Sequence, residues 1–288
     1  MPLRMHSSGR GRNYSRGRGL AESILAVAYA GDWPARLWGT LPRARRVQGR
    51  HTSLPLLPPG AVPVRVGFVS DLHVGPTTPP ALLDAAFAAL AAVEPDVLLL
   101  GGDYVFLEAT AAKAERLVSL IGRVPAAHKL AVLGNHDLWT HHSLLEEALA
   151  RAGVRLLVNA HVSIAGVTFV GLDDPWTGEV DAVRAFAGVS SASPLVVLCH
   201  SPDGLPAARR AVAPSARALY VCGHTHGGQV ATPWGPIFVP GRVGKVHPHG
   251  SHRVPPFHLH VSRGVGATEV PLRTWAPPEV AVFDLVGR

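Results

Sequence analysis

Beyond residue 63 the chain alternates short β-branched and apolar runs with alanine- and leucine-rich stretches whose apolar positions recur at helical spacing. Strands are expected at 64–70, 96–100, 129–133, 167–172, 195–198, 218–221, 258–261 and 280–285. Helices are expected at 80–93, 111–121, 143–152, 180–186 and 205–212, the third closed by Gly153. The alternation predicts an α/β fold, and no internal repeat interrupts it.

The first 63 residues read differently. Residues 1–19 are mostly Arg, Gly and Ser, which predicts a disordered basic tail with no catalytic content. Residues 20–63 read as an N-terminal extension ending in a proline-rich linker at 54–63, and 64–288 as the catalytic domain. The apolar run at 24–27 followed by Ala28 and Ala30 resembles a secretory signal, but Glu22 and the shortness of the run argue against one. The alternative is a short helix. Trp33, Leu37, Trp38 and Leu41 then form an apolar face beside Arg36, Arg43, Arg45 and Arg46, resting on an anionic bilayer or on the protein's own core. No stretch reaches the ~20 apolar residues of a membrane-spanning helix. The expected location is therefore cytoplasmic, with peripheral contact to the inner face of the membrane through residues 20–50, and export by a signal as the alternative.

Composition sharpens this picture. Of 288 residues 47% are hydrophobic and 16% charged, enough to bury one sizeable core. The net charge is +7, yet residues 1–50 hold ten Arg against Glu22 and Asp32, or +8, which leaves −1 on the remainder. A nucleic-acid partner is not expected, because the excess charge belongs to one segment and the domain has no pattern of stacking aromatics. The two cysteines, Cys199 and Cys222, end apolar runs and are read as reduced core residues.

The chemistry lies where polar residues follow the strands. Asp71, Asp103, Asn135, His200 and His224 each fall within three residues after an expected strand, the edge where α/β sheets build ligand sites. Asp71 and His73 are separated by one residue, so both side chains point the same way from an extended segment. Asp103 follows two glycines that let the backbone approach a ligand. Gly134 to Asp137 packs an amide, an imidazole and a carboxylate into one turn, and His224 and His226 again aim two imidazoles at one point. Any one of these histidines alone is more often a core or surface residue than a ligand. Five such elements in order, each after a strand, make accident a poor explanation. The mixed nitrogen and oxygen donors suit Mn, Fe, Zn or Co, and the lack of thiolates argues against a structural zinc site.

These motifs, Asp-x-His, Gly-Asp, Gly-Asn-His-Asp, His and Gly-His-x-His, resemble the calcineurin-like metallophosphoesterase superfamily over residue 64 to the C-terminus. The resemblance implies a four-layer α/β/β/α sandwich of two mixed sheets flanked by helices, with two divalent metal ions at the rim, manganese favoured. It implies that Asp71, His73 and His226 hold one ion, that Asn135, His200 and His224 hold the other, and that Asp103 bridges them. His136 is then left to protonate the leaving group, with Asp137 orienting it and raising its pKa. Two cations ~3.5–4 Å apart polarise phosphoryl oxygens, make hydroxide from a bridging water near neutral pH and offset charge in the displacement.

Val74, Phe106-Leu107 and Asp137 stand where protein Ser/Thr phosphatases of the superfamily carry Gly, Arg-Gly and Glu, which disfavours that branch. The segment from Gly171 to Asp174 and the C-terminal run resemble the small bacterial phosphodiesterase branch, some of whose members are UDP-diacylglucosamine pyrophosphatases. A phosphate-containing small molecule or a lipid-linked substrate is expected, cleaved at a phosphodiester or pyrophosphate bond. A non-catalytic scaffold is the competing reading, opposed by the intact donor set.

Overall fold

The apolar runs assemble into two six-stranded mixed sheets, seen in a computed structural model that describes residues 11–287. The first sheet holds β1 (Gln48–Leu57), β2 (Val64–Val69), β3 (Val97–Leu100), β4 (His128–Ala131) and β5 (Arg155–Leu156). The second holds β6 (Ala160–Ile164), β7 (Val167–Gly171), β8 (Leu195–Leu198) and β9 (Ala218–Cys222). A small hairpin, β10 (Ala231–Thr232) and β11 (Gly235–Pro236), precedes β12 (Gly250–Val254) and β13 (Phe257–Val261), which complete the second sheet, and β14 (Glu279–Gly287), which returns to the first. The orders are β1-β14-β2-β3-β4-β5 and β12-β13-β9-β8-β7-β6, and β2 to β5 and β7, β8, β9 and β13 run parallel.

The side-chain period of two divides each buried strand between two cores. Val97 and Leu99 of β3 and Val196 and Leu198 of β8 meet between the sheets. Leu98 and Leu100 face the opposite way, toward helices α3 (Pro80–Ala91), α4 (Ala111–Gly122) and α6 (His142–Arg151), numbered in a series that begins with α1 (Arg16–Ala28) and α2 (Trp33–Gly39) and includes α5 (Asn135–Leu138). On the far side Leu195 and Val197 pack with α7 (Ala182–Ala185) and α8 (Leu205–Ala211); a last short helix, α9, spans Arg242–Val246. Helices, sheet, sheet and helices make the four layers expected.

Three expectations need correction. Residues 1–10 of the expected tail lie outside the described residues, but 11–19 are held in place: Gly11 N donates to Leu138 O at 2.9 Å, and α1 begins at Arg16. Ser15 caps that helix through Arg18 N, and Arg18 pairs with Glu22 and Glu269, so polar contacts supply what the missing apolar residues do not. The linker expected at 54–63 starts inside β1, whose Leu54, Leu56 and Leu57 enter the core between the sheets. Pro55 is tolerated because β1 is the edge strand. The helix expected at 180–186 is only the single turn of α7. Among the described residues, no helix is long and apolar enough to cross a membrane.

Candidate metal centre

The loops that leave β2, β3, β4, β8 and β9 all end at one rim, where both sheets present the carboxyl ends of their parallel strands. Asp71, His73, Asp103, His224 and His226 take left-handed backbone conformations, with φ between 45° and 70°. Such a run of positive φ is uncommon outside glycine and concentrates where a site constrains the chain. Two glycines make the approach possible: a Cβ on Gly134 would strike the Asp103 carboxylate, and one on Gly223 would strike that of Asp71.

The seven expected ligand positions come together and are buried. His73 Nε2 faces His226 Nε2 at 3.0 Å, and His226 Nε2 lies 3.4 Å from Asp71 Oδ1. His200 Nε2 faces His224 Nδ1 at 3.2 Å. Asp103 Oδ2 stands between the two groups, 3.6 Å from His73 Nε2 and 3.2 Å from His200 Nε2. Donor atoms of Asp71, His73 and His226, and separately of Asp103, His200 and His224, lie within 4.8 Å of one another, close enough to hold a cation. Asn135 Oδ1 is buried without a hydrogen-bond partner and lines the same cavity, which adds an unmet acceptor.

The surroundings prepare these donors. His200 Nδ1 donates to Gly101 O at 2.8 Å, and although burial opposes it the Asp103 carboxylate beside Nε2 holds the imidazole up to about 10, so Nε2 carries a proton that a cation would have to displace. Ser70 Oγ donates to Asp71 Oδ2 at 2.5 Å, and Arg273 Nη2 braces the backbone at His226 O at 2.9 Å. Burial pushes the His73 and His224 imidazoles down to about 3, so both are neutral, as cation binding requires. Burial pushes Asp103 up, but the charge and hydrogen bond of His200 outweigh it and hold the carboxylate well below its usual range.

His136 and Asp137 separate. The His136 ring lines a cavity of about 350 Å³ together with Asp103, Asn135, His224 and His226, and its centroid is 4.9 Å from that of His73. Asp137 turns away, and the expectation that it orients His136 is corrected. Its carboxylate accepts from Asp103 N at 2.7 Å, Tyr104 N at 2.8 Å and Gly134 N at 3.0 Å, tying the Gly134–Asp137 turn to the loop after β3. What surrounds His136 instead is Trp139, at 4.8 Å between centroids, Phe106 at 5.7 Å and the Arg18 guanidinium, 3.5 Å from Nδ1.

Sequence reasoning missed several of these neighbours. Arg18 was placed in the tail, yet it lines the cavity, stacks 4.2 Å over Trp139 and pairs with Glu269 at 2.7 Å. Trp139, packed against the His136 ring on the same wall, belongs to no motif. Trp176, 4.7 Å from the His224 ring, and Thr268 and Glu269 on the cavity wall carry no local motif. The basic stretch of Arg242, Lys245, His247, His249 and His252 is absent from the cavity wall.

Known proteins match this chain over the same region. Residues 64–228 fit the family model described as calcineurin-like phosphoesterase. Phosphodiesterase YaeI of Escherichia coli (strain K12) is 32% identical over 239 residues, covering 78% of this chain and 83% of that protein. An uncharacterized metallophosphoesterase of Bacillus subtilis (strain 168), YkuE, is 29% identical over 80% of this chain and 82% of its own length. UDP-2,3-diacylglucosamine pyrophosphatase LpxG of Chlamydia muridarum (strain MoPn / Nigg) is 24% identical over 76% of this chain and 83% of that protein. With its donor clusters gathered at the rim of two stacked sheets, and with matches of this extent, the chain belongs to the calcineurin-like phosphoesterases, a family of metal-dependent hydrolases.

Proposed function

We propose that this site hydrolyses a phosphodiester or pyrophosphate bond using two divalent cations, with His136 as the proton donor. The observation that carries the reading is the position of Asp103, whose Oδ2 lies between the His73 and His200 imidazoles. Asp71, His73 and His226 would hold one ion and Asn135, His200 and His224 the other, with Asp103 shared. Bound there, such ions supply Lewis-acid charge and ionise water near neutral pH. Manganese is favoured among Mn, Fe, Zn and Co, all of which accept these donors.

The chain's own groups do the rest. His136 is fixed by its aromatic neighbours with its ring facing the cavity; burial holds its imidazole below the usual value, and a substrate phosphate beside it would raise it toward the charged form that can give a proton to the departing oxygen. The Arg18 guanidinium on the same wall adds positive charge where a phosphoryl group would lie. Trp176 and Phe238 form apolar parts of that wall.

A narrower reading makes the substrate a lipid-linked nucleotide cleaved at its pyrophosphate, at the inner face of a membrane. The activity for which LpxG is named, pyrophosphatase on UDP-2,3-diacylglucosamine, favours it, as does Phe238, which is 69% exposed at the cavity wall. A non-catalytic scaffold is disfavoured by the complete donor set, and no nucleic-acid partner is proposed. The test is metal-free protein titrated with Mn, Fe, Zn or Co and screened on monoesters, diesters, cyclic nucleotides and UDP-linked pyrophosphates. Two equivalents bound per chain with diester or pyrophosphate turnover are expected. Saturation at one equivalent, or turnover without metal, overturns the reading.

A further inference from the structure

We propose that an apolar collar around the mouth of the metal cavity docks the protein on an anionic lipid bilayer, which deepens the proposed function by naming the surface where the site meets its substrate. Among the described residues fifteen large apolar side chains are exposed, and twelve come from four neighbouring segments: α1, residues 33–41, residues 234–238 and residues 270–275. Scattered exposed apolar residues need no explanation, whereas a contiguous set marks an interaction surface.

The helix α1 is the clearest member. None of its thirteen residues is buried, and Leu20, Ile24 and Val27, one face at i, i+4 and i+7 spacing, are 64%, 59% and 79% exposed. A helix packed on its own protein turns such a stripe inward. This one is held instead by polar groups: Arg18 pairs with Glu269, and Tyr29 donates its hydroxyl to Glu269 O at 2.7 Å. Its apolar face is left over for something else.

The other segments adjoin it. Arg18, Phe238, Thr268 and Glu269 line the one cavity, which places α1 and the loops at 238 and 269 on the same opening. Ile237 N donates to Val230 O, and Val230 bridges to Thr274, joining the loop at 237 to that at 274. Three of the exposed side chains are tryptophans, Trp33, Trp234 and Trp275, at 50%, 93% and 69%, the residue that favours the boundary between hydrocarbon and water.

Charge selects the occupant. Residues 11–50 carry eight Arg against two acids, or +6, while the chain beyond residue 50 is near neutral. A cleft of about 790 Å³ lies between Trp38, Arg45 and Arg46 on one side and Arg273 and Trp275 on the other, and the exposed guanidinium groups of Arg45 and Arg46 are free to meet a phosphate headgroup there. An apolar stripe flanked by arginine and tryptophan matches the surface of an anionic bilayer, and a neutral protein partner would leave those arginines unmatched.

The test uses the full chain, sedimented with phosphatidylcholine vesicles made with and without phosphatidylglycerol. Binding is expected to the mixed vesicles, to weaken with salt, and to fall about tenfold or more when Leu20→Ser, Ile24→Ser and Val27→Ser are combined. Trp234→Ser, on a separate segment, is expected to weaken binding as well. Both variants should hydrolyse a water-soluble diester, bis(p-nitrophenyl) phosphate, at the rate of the unaltered protein. The docking surface is overturned if the full chain ignores the mixed vesicles, if both variants bind like it, or if the collar proves to mediate a dimer that the triple variant dissolves. Vesicle binding by a protein that hydrolyses no diester upholds docking and removes only the catalytic reading.

Discussion

At the scale of single residues, the neighbours His136 and Asp137 face opposite directions and have separable consequences. His136 lines the cavity, and Asp137 accepts three backbone N–H groups behind it. His136→Ala removes no structural hydrogen bond of the turn, so fold and metal content should survive. Turnover of an alkyl diester, whose leaving oxygen needs a proton, should drop by about 10²–10⁴, while a p-nitrophenyl ester loses little. Equal losses on both, read from steady-state kinetics, would exclude proton donation. Asp137→Ala leaves three buried donors unmet, at roughly 1–3 kcal/mol each before relaxation. A lowered thermal midpoint is expected for that variant, and an unchanged midpoint would show that the bonds contribute no stability.

At the scale of elements, legibility followed burial. Strands β3, β8 and β9 are covered on both faces and therefore wholly apolar, and the sequence pattern marked them to within a residue or two. Strands β6 and β12 are half-exposed edges built from Ala-His-Val-Ser-Ile and Gly-Ser-His-Arg-Val, where solvent removes the need for an apolar run. The same division holds at the site. Ligand candidates sit in short motifs one to three residues beyond legible strands, whereas Arg18 reaches Glu269 across 251 positions and no local pattern connects them. The strand β13 shows a buried residue that polarity alone misplaces. His260 lies between the Phe68 and Phe283 rings, and burial pushes its imidazole from the usual 6.5 down to about 4. Above pH 6.5 it is neutral in folded and unfolded chains alike. Between pH 6.5 and 4 the unfolded chain takes a proton that the folded one refuses, so stability present at neutral pH is lost as pH falls through that window. The loss amounts to about 3 kcal/mol, and His260→Gln should remove it from a plot of denaturant-derived stability against pH. A variant with the same pH slope as the parent would show that His260 titrates normally.

At the scale of the whole molecule, the rim joins two sheets that otherwise meet through apolar packing. Asp71, His73, Asp103 and Asn135 leave strands of the first sheet, and His200, His224 and His226 leave strands of the second. Burial lifts the Asp71 carboxyl to about 6, with His200 pulling it down and the nearby Asp103 carboxylate pushing it up. Two carboxylates are met there by one His200 imidazolium, so entering cations would add the positive charge the rim still lacks. Cations held by donors from both sheets should therefore act as a clamp between them, as well as serving the reaction. Binding that favours only the folded chain adds about 2.7 kcal/mol for each site filled at a hundredfold excess over its dissociation constant. Chelation should lower the thermal midpoint by several degrees, and amide exchange should quicken at residues 71–73 and 224–226 together, since releasing one sheet's ligands frees the other's. Exchange that quickens on one sheet alone would show that each sheet holds its own ion without bridging, and Asp103 would lose its place between them.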